Sequence, residues 1–96
     1  MTLKIETSVL PRRVVFTLSG RMEAIHISEL KELLALQPSD RRPVLDLKNI
    51  KLADREAVRF LSKCEAAGVT LQNCPAFIRE WIAREDAEGG GERNGD

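Results

Sequence analysis

The chain has 96 residues, 43% of them hydrophobic and 31% charged, which excludes wholesale disorder and leaves room for one domain with one core. Fifteen basic and fifteen acidic side chains cancel, so nothing suggests a nucleic-acid binder relying on positive excess. No apolar run approaches the roughly 20 residues that span a bilayer, and the opening MTLKIETSVL lacks the pattern of a signal peptide. A cytoplasmic protein with no direct membrane insertion is expected. Its two cysteines, Cys64 and Cys74, form neither a disulfide framework nor a metal-ligand set and read as reduced structural residues.

In chain order, residues 4–9 alternate loosely and predict a first strand, broken by Pro11-Arg12-Arg13. Residues 13–19, RVVFTLS, are rich in β-branched and aromatic side chains and predict a second strand, ended by Gly20. The tight connection favours an antiparallel pair. From Ile25 to Gln37 the period turns helical, with Ile27, Leu30, Leu33, Leu34 and Ala35 on one face. Pro38 to Pro43 is a turn signal. Val44 to Leu47 makes a brief buried strand, and Lys48 to Ala53 reads as a loop over the sheet edge.

Asp54 is a good N-cap for a second helix reaching about Ala67, with Ala57, Val58, Leu61 and Cys64 as its apolar stripe and Gly68 as its stop. Residues 69–73 return to strand. Pro75 opens a third helix in which Phe77, Ile78, Trp81 and Ile82 pack inward. Residues 86–96 are glycine-rich and acidic and read as a disordered tail after a domain at 1–85. The order β-β-α-β-α-β-α implies an α/β domain, a mixed sheet of about four strands with helices packed on it.

Four segments resemble the STAS domain (sulfate transporter and anti-sigma factor antagonist). They are Leu18-Ser19-Gly20-Arg21-Met22-Glu23, Pro43 to Ile50, Leu52 to Val58, and Gly68 to Leu71 with Asn73 to Trp81; their spacing spans roughly residues 3–83. The resemblance implies a non-enzymatic protein-interaction module without cofactor. In the antagonist branch a serine opening the second helix is phosphorylated by a partner kinase. Here only Asp54 of that Asp-Ser-Ser-Gly motif remains: Arg55 replaces the first serine, Glu56 takes the position of the phosphoserine, and Ala57 replaces the glycine. Phosphoryl transfer needs a hydroxyl, so the family's switch cannot operate at this position. The resemblance implies a protein partner, either an anti-sigma-type kinase or a transport ATPase for which the chain is an accessory subunit.

Glu56 has two readings: a fixed charge standing in part for phosphoserine, or an acid that complements the helix dipole for about 0.3–1 kcal/mol. Asp54 is explained by capping alone. Lys51, Arg55, Arg59 and Lys63 recur every fourth residue, placing the last three on one helix face with Lys51 just ahead. Like charges at that spacing repel by roughly 0.2–0.5 kcal/mol per pair, so the stripe is no stability device. It is either a docking face for an acidic partner or a solvated face that Glu56 and Glu65 partly neutralise.

The alternative of another class, a small enzyme or ligand-binding protein, is disfavoured. The chain has one histidine, His26, no tyrosine, and no nucleophile paired with a base at a recognisable spacing. His26 also has no metal-ligand companions, and Gly89-Gly90-Gly91 lacks the lysine and hydroxyl of a phosphate loop.

Overall fold

The computed structural model describes residues 3–38 and 40–93, with side chains described as far as Glu85. Four strands form one sheet in the order β1-β2-β3-β4: β1 Leu3–Val9, β2 Arg13–Met22, β3 Arg42–Ala53 and β4 Thr70–Gln72. β1 pairs antiparallel with β2, across a connection short enough for a hairpin. β2–β3 and β3–β4 are parallel, because the chain crosses back each time through a helix. These helices are α1, Ile27–Ala35, and α2, Arg55–Ala66; α3, Ala76–Arg93, closes the fold. The mixed sheet with its helices is the architecture expected from the pattern of periods.

The core lies on one face of the sheet. Val14, Phe16 and Leu18 alternate on β2, and Leu45 and Leu47 on β3. Leu30 of α1, Ala57, Val58, Leu61 and Cys64 of α2, and Ile78 and Ile82 of α3 join the same cluster. The apolar stripe of α2 is therefore the one read from its spacing, with Phe60 added. On α1 only Leu30 is fully buried; Ala35 is exposed. On α3, Phe77 is 42% exposed instead of packing inward, while Ile78 one step round the helix fills the core.

Lys48 to Ala53, expected as a loop, instead extends β3 to twelve residues. The extension pairs with Ser19–Met22 through two register shifts. At each shift β3 carries one more residue than β2, as in a β-bulge. Gly20, expected to end β2, sits inside it with φ 101°, a conformation open to glycine at little cost. The bulges disturb the alternation that would mark a strand: Lys48, Asn49, Lys51 and Leu52 are exposed and only Ile50 is buried.

α2 begins and ends as its caps dictate. Asp54 Oδ1 accepts the Ala57 N–H at 2.9 Å. At the far end Gly68, φ 104°, completes a Schellman turn, in which the Val69 N–H donates to the Cys64 carbonyl and the Gly68 N–H to that of Glu65. The backbone of α3 is helical to Arg93, whereas the sequence reading ends that helix near Glu85. Of the expected disordered tail at 86–96, residues 94–96 and the side chains from Asp86 onward lie outside the described residues.

Candidate functional site

The carboxyl ends of β2 and β3 and the amino end of α2 meet at Asp54. Its Oδ1 caps α2, and its Oδ2 accepts the Ala24 N–H at 3.0 Å. Its own N–H donates to the Met22 carbonyl at 3.1 Å. One side chain thus ties α2 to the 3-10 turn at Ala24–His26 that precedes α1. That turn is closed by a reciprocal pair, in which His26 Nδ1 accepts the Glu23 N–H at 3.0 Å while the Glu23 side chain accepts the His26 N–H. Buried His26 therefore has a structural task, and both oxygens of Asp54 are engaged.

Around this junction lies a shallow depression lined by Arg21, Met22, Glu23, Leu52, Ala53 and Asp54. Leu52, in this lining near the end of β3, is 53% exposed, and Ile25, which follows Ala24 on the 3-10 turn, is 80% exposed. Lys51, Arg55 and Glu56 are exposed at the same end. The side chain of Glu56 is 59% exposed, and its neighbour Arg59 approaches only to 3.9 Å. Lys63 lies in the last turn of α2, exposed and remote from the junction.

Arg55 and Arg59 do not simply face solvent. Arg55 Nε donates to Glu85 Oε2 at 3.2 Å and Arg59 Nε to Glu85 Oε1 at 3.3 Å. The Trp81 indole N–H donates to the same carboxylate at 3.3 Å. Glu85, on α3, is left with a side chain only 12% exposed. Desolvation pushes its pKa up, but hydrogen bonds from Arg59 and Trp81 and the charges of Arg55 and Arg59 outweigh this, holding it below its usual value. Two of the four stripe residues are thus bound to the protein's own third helix. Neutralisation comes chiefly from Glu85 and, at Arg59, also from Glu56 at 3.9 Å, whereas Glu65 pairs with Arg79 on α3 at 2.9 Å.

Sequence reasoning also missed a buried hub on β3. Asp46, 5% exposed, accepts the Lys48 N–H at 3.1 Å, the Gln72 amide at 3.3 Å and the Asn73 amide at 3.3 Å. Asn73 adopts φ 54°, which asparagine tolerates better than most residues. The acid in an otherwise apolar strand was the available signal, but its partners sit 26 and 27 residues away. Among the described residues, no three His, Cys, Asp or Glu side chains are placed to hold a metal ion, and both cysteines are free thiols. No helix among them is long and apolar enough to cross a membrane.

No family model and no curated protein matches the chain. Solved structures do. An antisigma-factor antagonist STAS domain from Rhodobacter sphaeroides aligns with a TM-score of 0.55 at 12% identity, covering 74% of this chain and 86% of that one. An uncharacterized protein with a SpoIIAA-like fold from Shewanella loihica aligns with a TM-score of 0.54 at 13% identity, covering 85% of this chain and 74% of that one. Likeness at such identities concerns the backbone path alone. The chain has a STAS-like fold.

Proposed function

We propose that the chain is a non-catalytic protein-interaction module that docks a partner at the amino end of α2. The observation that carries this reading is the grouping of exposed Ile25 and Leu52 around the Asp54 junction, with Lys51, Arg55 and Glu56 beside them. An apolar centre with a charged rim is the usual anatomy of a protein interface. The STAS domain named in the comparison is an antisigma-factor antagonist, which supports a protein partner. An anti-sigma-type kinase and a transport ATPase are the two partner classes to test. With Glu56 at the serine position, docking would be constitutive and not switched there by phosphorylation.

The test is affinity capture by the whole chain, comparing wild type with Ile25→Asp/Leu52→Asp and identifying retained proteins by mass spectrometry. A single partner held by wild type and lost by the double variant supports the module. Retention by both, with the variant folded by circular dichroism, removes this surface from the reading. Arg55→Glu/Arg59→Glu is a poorer probe, because it also breaks the contacts with Glu85. Glu56→Gln separates charge from shape: unchanged affinity would show that the carboxylate acts only on the helix dipole.

A further inference from the structure

At the opposite end of the sheet a groove opens between the β1–β2 turn and the start of β3, lined by Leu10, Pro11, Arg12, Arg13, Asp40 and Arg42. Its arginines sit on a rigid frame. Arg13 and Arg42 are register partners on the parallel strands β2 and β3, roughly 4.8 Å apart across the ladder. The Arg42 N–H donates to the Arg12 carbonyl at 3.0 Å, and the Leu10 N–H to that of Arg13 at 2.8 Å. Two loops separated in sequence by α1 are thereby pinned together with their cations adjacent.

The clustering of the cations does not stabilise the fold. Like charges directly opposite on neighbouring strands repel, and Arg12, Arg13 and Arg42 are exposed. Among the described residues their side chains have no hydrogen bond or ion pair. Arg55, Arg59 and Arg79, by contrast, each hold a carboxylate. Three guanidiniums against the one carboxylate of Asp40 leave two positive charges in the groove lining, in a chain whose net charge is zero.

We infer that this groove binds a phosphomonoester carried by a small molecule. A phosphomonoester bears about −1.5 to −2 charge near neutral pH and three acceptor oxygens, matching both the surplus and the donors. Guanidinium forks take phosphate oxygens in bidentate pairs. Because the backbone frame is already hydrogen-bonded, the ordering on binding is confined to the arginine side chains. The site is separate from the docking surface at the amino end of α2 and does not depend on it.

The experiment is a nuclear magnetic resonance titration of the ¹⁵N-labelled whole chain with phenyl phosphate, at low ionic strength and about pH 7.5, where the ester is nearly dianionic. Benzoate serves as a monoanionic control with the same ring, and inorganic phosphate as the anion without it. Saturable shifts of the Arg12, Arg13 and Arg42 amides are expected, with benzoate at least about tenfold weaker. Inorganic phosphate should compete for the same amides. Arg12→Gln/Arg42→Gln should abolish the response while keeping a dispersed spectrum. Arg12→Gln alone, in the turn, should weaken it severalfold and serves if the double variant fails to fold. An equal response to benzoate, unchanged binding by these variants, or shifts centred on Arg55 and Arg59 would overturn the inference.

Discussion

Asp54 joins two elements through two oxygens, which makes its replacement a graded test of the junction. Asp54→Ala removes the acceptor for the Ala57 N–H at N3 of α2 and the acceptor for the Ala24 N–H. Loss of an N-cap costs about 0.5–2 kcal/mol. The Ala24 amide lies at an exposed position and regains water, so its net loss is about 0.5–1.5 kcal/mol. The sum is about 1–3.5 kcal/mol, and each kcal/mol lowers Tm by roughly 4–8 °C in a domain of this size. Asp54→Ser supplies one acceptor, keeps the cap and gives up only the Ala24 bond, so it should fall between wild type and Asp54→Ala. Urea denaturation followed by far-ultraviolet circular dichroism, with an unchanged m value, measures all three. An alanine variant within about 0.5 kcal/mol of wild type, the range of inert surface substitutions, would refute the junction. A serine variant no better than alanine would refute the capping half of the argument.

The depressed pKa of Glu85 links its arginine contacts to pH. A carboxyl held below its ordinary 4.5 in the fold contributes stability present above that value and lost as pH falls through the lower folded value. Glu85→Gln should therefore remove part of the acid limb of the stability–pH curve; an unchanged limb would mean that Arg55 and Arg59 give Glu85 no net help in solution. Asp46→Ala leaves the Lys48 N–H and the Gln72 and Asn73 amides without their acceptor. It should cost about 1–3 kcal/mol by urea midpoint, and clearly more than Gln72→Ala, which removes one exposed donor. Burial is the main reason the Cys64 thiol is pushed up to about 11. At about pH 8 iodoacetamide should therefore label Cys74 first and Cys64 only after denaturant is added; equally fast labelling of both in the native protein would contradict the buried position.

Much of the fold is local in origin and was legible. α2 carries its instructions within its own span: a capping carboxylate at Asp54, an apolar residue every third or fourth position, and a glycine at Gly68 for the left-handed stop. The apolar run at 44–47 and the β-branched run at 13–19 declare strands because each is buried in a regular alternation or run. Lys48 to Ala53 did not declare itself. Its residues become a strand only because Ser19–Met22 lie alongside, and two bulges remove the period-two signal along which a strand is read.

The candidate sites divide in the same way. Asp54, Arg55 and Glu56 were visible as helix-opening residues because capping and dipole effects act over one turn. The sequence by itself also determined the charge balance, the absence of a serine at position 56 and the repeat of basic side chains. Tertiary structure alone decided what those side chains meet. Glu85 reaches Arg55 and Arg59 across 30 and 26 residues of chain, Ile25 and Leu52 come to one end of the sheet, and Arg13 comes to rest beside Arg42. Charge and polarity are properties of a residue, but repulsion, neutralisation and exposure depend on distances between residues remote in sequence, which are set only when the strands pair.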